Sequence, residues 1–217
     1  MTGIMRMLKL DFFTIKSQII SYLSLVVIIL MFECIGSPFF VLCITGAWFV
    51  VLISSNIFAI QEKNNMDFLY GSVSIRLNDI IRGRYLFMFL NFFMAFLAIA
   101  ILSFCFSIYQ KDVIDLFDII LGFALSFSVF SIIAGIQVPL FFKMGYMKAR
   151  GWSLIPFVLV MFLVMIPSFI SVLSEFIEFM QLHMKIMIIS SILVGCVVQL
   201  ISYNICLLYT SPSPRDA

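Results

Sequence analysis

Residues 85–110 read YLFMFLNFFMAFLAIAILSFCFSIYQ, an interval without a single charged side chain, closed by Arg84 on one side and Lys111 on the other. At 1.5 Å per residue a helix of this length is about 39 Å long, more than the roughly 30 Å hydrocarbon core of a bilayer. An ionisable group at the bilayer centre costs about 2.5 kcal/mol or more, so membrane spans should appear as the gaps between charges. Working outward from residues 85–110, five more such gaps occur: Lys16 to Glu33, Glu33 to Glu62, Asp118 to Lys143, Arg150 to Glu175, and Lys185 onward. Spans are expected over about 17–33, 37–60, 85–109, 116–142, 152–174 and 185–205. The first is the shortest, with Lys16 snorkelling at one end. Gly36, Ser37 and Pro38 supply a turn that folds the first two spans into a hairpin.

The composition agrees. Of 217 residues, 64% are hydrophobic and 11% charged, against about 25% charged in a soluble domain. Six spans leave no room for a separate soluble catalytic domain. The net charge of +2 gives no footing for nucleic-acid binding. Cys34, Cys43, Cys105, Cys196 and Cys206 stand singly in apolar stretches with His183 the lone histidine, a pattern that suggests neither a disulfide framework nor a zinc site. The fold class expected is all-α: a polytopic membrane protein of about six transmembrane helices forming one domain over residues 1–205.

Orientation follows from the basic residues, which are retained on the cytoplasmic side. With the N-terminus inside, that side holds Arg6, Lys9, Lys16, Lys63, Arg76, Arg82, Arg84, Lys143, Lys148 and Arg150, and the other holds Lys111 and Lys185. Ile4, Met7, Leu8, Phe12 and Ile15 recur at helical spacing, which predicts an amphipathic helix along the inner leaflet ahead of the first span. Pro139, Pro156 and Pro167 fall inside or near the ends of spans and are expected to mark kinks.

Two cytoplasmic loops carry the polar chemistry. Residues 61–84, QEKNNMDFLYGSVSIRLNDIIRGR, contain Glu62, Lys63, Asp67, Tyr70, Arg76, Asp79 and Arg82; Gly71 breaks a helix there and Ser74 caps a second one bearing Leu77, Ile80 and Ile81. A short helix of this kind lying along the membrane suits contact with a soluble partner, whereas a plain solvated loop would only fix topology. Residues 137–151, QVPLFFKMGYMKARG, place Lys143, Lys148 and Arg150 around Gly145 and Tyr146, a positive anchor with an interfacial tyrosine, open to unspecific contact with membrane lipid headgroups. No ionisable group lies well inside a span, which argues against a proton relay or an intramembrane carboxylate enzyme. Ser126, Ser128, Ser131 and Gln137 lie on the fourth span without a paired base and read as packing contacts. No GxxxxGK[ST] phosphate loop occurs, so the chain is not expected to be an enzyme or to bind a cofactor, and energy for uphill movement would come from another subunit.

The two loops resemble those of permease subunits of bacterial ABC-2 type transporters, in particular the short six-span branch without a fused ATPase. The likeness rests on residues 62–87, EKNNMDFLYGSVSIRLNDIIRGRYLF, and 138–150, VPLFFKMGYMKAR; it departs from the family at Ser72-Val73-Ser74, where Ser-Leu-Pro is common. The resemblance implies that residues 61–84 contain a coupling helix docking on a cytoplasmic ABC ATPase through Glu62, Lys63, Asp67, Tyr70, Arg76, Asp79 and Arg82. It also implies a second permease half, as homodimer or heterodimer, in the bacterial cytoplasmic membrane, with ATP and Mg on the partner subunit and no nucleic acid involved. Peptide, lipid or drug are the cargo classes it suggests. A non-transport immunity or accessory protein that binds a partner in the bilayer is the alternative. Finally, residues 206–216, CLLYTSPSPRD, resemble the conceptual translation of a transposase adapter used in sequencing libraries, so 206–217 are expected to be a non-native tail.

Overall fold

The computed structural model describes residues 3–15, 19–66, 77–110, 115–159 and 183–210. The helices delimited among the described residues are, in chain order, α1 Gly3–Ile15, α2 Ile19–Cys34, α3 Phe39–Lys63, α4 Leu77–Gln110, α5 Leu116–Met144, α6 Tyr146–Ser153 and α7 Met184–Thr210. No strand occurs among the described residues, and the chain is an all-α polytopic membrane protein. Helices α3, α4, α5 and α7 are long and apolar enough to cross a membrane. Helix α2, with 16 residues, is shorter, about 24 Å. The interval 152–174 continues from α6 into a helical stretch at 155–159, and its remainder lies outside the described residues, as does Pro167.

The turn between α2 and α3 forms where the Gly-Ser-Pro signal lies. Gly36 takes a left-handed φ of +77°, which glycine adopts without a Cβ clash. The amides of Gly36 and Ser37 donate to the carbonyls of Glu33 and Phe32 at 2.9 and 3.1 Å, and Pro38 stands immediately before the first turn of α3.

Helix α5 is the centre of the bundle, packed on α3 and α7, while α4 packs on α1 and α3. Without water to drive apolar surfaces together, helices in a bilayer associate through close packing. Here the packing is aromatic between α4 and α5: Phe92 stacks on Phe130 at 4.7 Å between centroids, and Phe89 meets Phe130 edge-on at 5.7 Å. Between α5 and α7 it is small-residue contact, since a Cβ at Gly195 would lie 2.6 Å from Phe127 and one at Gly135 2.7 Å from Val198. Rows of large apolar residues on α4 (Leu90, Met94, Leu97, Ile101) and α7 (Ile186, Ile189, Leu193, Leu200) remain exposed on the outside of the bundle.

Two local readings differ from the sequence expectation. Leu77, Ile80 and Ile81 do not belong to a separate short helix: they are the first turns of a continuous helix of 34 residues that becomes the membrane-crossing α4. Burial of Ile80 and Ile81 explains this, because they join the bundle core instead of facing lipid or solvent. Helix α1 forms as expected, with Phe12 edge-on to Phe87 at 5.3 Å, but Asp11, a charged residue outside the apolar stripe, is buried beside Met7.

Candidate functional site

The basic end of the bundle brings the two polar loops together. Helix α5 ends at Met144 and α6 begins at Tyr146, with Gly145 between them at a φ of +75°. The Gly145 amide closes α5 by donating to the Phe141 carbonyl at 3.0 Å. The start of α6 then presents free amides, and Glu62, in the last turn of α3, meets them. Its Oε2 accepts from the Met147 amide at 3.0 Å. A carboxylate at a helix N-terminus satisfies an orphan donor and the positive end of the helix dipole. Glycine at 145 is favoured by its positive φ, which L side chains rarely adopt. Tyr146 folds back on Phe141 at 5.3 Å. Lys63, Lys148 and Arg150 are exposed around this junction, as is Lys143.

On the other side of the same end, Arg84 is 2% exposed and Asp11 0%, and Arg84 Nη1 lies 3.0 Å from Asp11 Oδ1. Arg84 Nη2 donates to Gln61 Oε1, and the guanidinium sits over the Phe58 ring at 5.1 Å. One arginine thus ties α1 to α4 and α3. Burial pushes the Asp11 carboxyl up to about 6, with Arg84 pulling it partly back down. Asp79 is also engaged with α1, since a Cβ on Gly3 would lie 2.4 Å from its Oδ2. Arg82 is exposed on α4, its Nε donating to the Tyr203 hydroxyl at 3.0 Å.

A family model described as "ABC-2 family transporter protein" matches residues 6–209. The chain belongs to the ABC-2 transporter family. No curated protein and no solved structure matches it. As an ABC-2 protein it is a membrane component of an ABC transporter, a permease and not itself the catalyst.

Of the residues that the resemblance assigns to ATPase docking, the fold of this ABC-2 permease separates two groups. Glu62 and Arg82 are exposed but bonded, to α6 and to Tyr203 of α7, and Asp79 is half-buried beside Gly3 of α1, whereas Lys63 is exposed at the end of α3. Asp67, Tyr70 and Arg76 lie outside the described residues. Among the described residues, no group of three or more His, Cys, Asp or Glu is placed to hold a metal ion. The Asp11, Gln61 and Arg84 cluster was not expected. Its one signal in the sequence is that Asp11 is the only acid among the basic residues Arg6, Lys9 and Lys16 of the first helix region.

Proposed function

We propose that this chain is the permease half of an exporter in the bacterial cytoplasmic membrane, six-span with its N-terminus inside, powered by a separate cytoplasmic ABC ATPase that carries the ATP and Mg. A second permease half, identical or related, completes the pathway, and the cargo is a peptide, lipid or drug. The observation that carries the docking reading is the Glu62 to Met147 bond, which ties the end of α3 to the start of α6. Two loops far apart in the chain become one platform with Lys63 and Lys148 on its outer side. A partner pressing on this platform moves α3 and α5 together, the two helices most directly coupled to the bundle core.

On this reading Glu62 builds the platform and Lys63 and Lys148 meet the ATPase, with Asp67, Tyr70, Arg76 and Arg82 completing the contact. Co-expression with the ATPase encoded beside it, followed by recovery through a tagged permease, tests it. K63E combined with K148E is expected to lose the ATPase from the complex while the permease still reaches the membrane. Full recovery of the ATPase by that variant rejects the docking surface, and a genomic neighbourhood without any phosphate-loop protein favours a non-transport accessory role.

A further inference from the structure

A cavity of about 350 Å³ opens between α2, α3, α5 and α6, away from the Asp11 to Arg84 cluster. Its polar lining is Ser21, Ser24, Asn56, Gln137, Arg150 and Ser153. Gln137 is 1% exposed, and its Nε2 donates to the Ser153 carbonyl at 3.0 Å. That bond fixes the amide orientation, because the flipped form would set two carbonyl oxygens against each other. The other end of the amide, Oε1, is buried and has no partner among the described residues. A buried acceptor of this kind calls for a donor from whatever fills the cavity. At the same cavity Arg150 presents a guanidinium with no ion pair among the described residues, suited to a phosphate.

Beside it lies a second groove of about 410 Å³, lined by Gly151, Leu154, Ile155, Val158 and Leu159, with scarcely any polar surface. The two share Leu154. Asn56 stands seven residues before Lys63, about 10 Å along α3 from the basic end of the bundle, which is the depth of a lipid headgroup and glycerol. A phosphate-binding cation, an acceptor awaiting a donor, and an adjoining apolar channel at that depth match one kind of molecule.

We propose that these two cavities form a binding site for a phospholipid whose headgroup carries a hydrogen-bond donor, such as ethanolamine or glycerol. Its phosphate sits on Arg150, its N–H or O–H donates to Gln137 Oε1, and an acyl chain lies along Leu154, Val158 and Leu159. A choline headgroup has no such donor and leaves the glutamine unsatisfied. The site lies within one subunit and does not depend on ATPase docking.

The test is native mass spectrometry of the detergent-purified full-length protein, given equimolar phosphatidylethanolamine, phosphatidylglycerol and phosphatidylcholine of identical chains. Either donor-bearing lipid should be retained at least about tenfold over phosphatidylcholine. Q137L should abolish that preference and leave general lipid retention at the phosphatidylcholine level, R150Q should weaken all three, and V158W should block retention by filling the chain groove without touching Gln137. Equal retention of the three lipids by the unmutated protein overturns the proposal and leaves water as the partner of Gln137. Equal occupancy by chain-free glycerophosphoethanolamine overturns the lipid assignment in favour of a soluble phosphate ester. Should Q137L fail to fold, the unmutated comparison and V158W still decide the matter.

Discussion

The middle of the bundle and its basic end are held together by different physics. In the middle, α4 and α5 meet through rings, with Phe92 on Phe130 at 4.7 Å and Phe96 edge-on to Phe123 at 5.1 Å. At the end, α1, α3 and α4 meet through one arginine that contacts a carboxylate, an amide and an aromatic face. Ring packing is tolerant of small shifts because dispersion is non-directional and spread over many atom pairs. The Arg84 cluster is not tolerant, since each group in it is buried and has few alternatives. The middle therefore supplies cohesion, and the end supplies register, fixing how the first helix sits on the transporter.

This contrast is broken most forcefully at Arg84. R84A strands the buried Asp11, and loss of one partner of a buried pair costs about 3–5 kcal/mol. Thermal unfolding in detergent at pH 7.5 should show it as the largest loss among the variants considered. The double variant D11L/R84M removes both charges and should recover to within about 1 kcal/mol of the parent. A double variant as unstable as R84A would mean that Arg84 acts through Gln61 and Phe58 instead. In the aromatic middle, F130A should cost about 3 kcal/mol by leaving a cavity beside Phe89 and Phe92. Its effect should not depend on pH, which separates it from the arginine cluster.

The same contrast explains what was legible in the sequence. Helix positions could be read because a charge inside a bilayer is costly, so the gaps between charges outline α3, α4, α5 and α7. The α2 to α3 hairpin was visible because Gly36 and Pro38 act locally. Arg84 was read as the boundary of a span and a marker of topology, since nothing near it in sequence reveals that Asp11, 73 residues earlier, will neutralise it. For the same reason periodicity gave no sign that Asp11 would be buried on α1. The bond from the Met147 amide to Glu62 was hidden in the sequence because the two residues are 85 positions apart. Local signals carry the helices, whereas pairing between distant polar groups decides the site, and a single sequence does not display it.

A smaller effect sharpens the account of the Arg84 cluster. The Asp11 carboxyl titrates near 6 in the folded protein and near 3.8 when exposed, so between these values the folded state holds more protons. Stability must then fall as pH rises from about 4 to about 6 and stay level above that, by no more than about 1.4 kcal/mol per unit of displacement. D11N removes the titrating group and should flatten the curve over this range. A parent curve that is instead level from pH 4 to 6 and falls away only as the pH drops below about 4 would show that Arg84 outweighs burial and holds the carboxylate ionised.

The smallest effect belongs to the junction of α3 and α6, which has one charge-assisted bond in place of a cluster. E62A frees the Met147 amide and should cost about 1 kcal/mol, the usual range for a lost helix cap. E62Q keeps an acceptor oxygen without the charge and should cost less. The loss is local, so global unfolding should hardly register it, whereas hydrogen exchange at the Met147 amide should quicken by about fivefold in E62A. Helix α6 is eight residues long and too short to hold itself, so its position depends on Glu62 at its start and on buried Ala149 and Ser153 along its face. Unchanged exchange in E62A would mean that Ala149 and Ser153 suffice. The two loops would then be neighbours and not a single platform, and force applied at Lys63 would not reach α6.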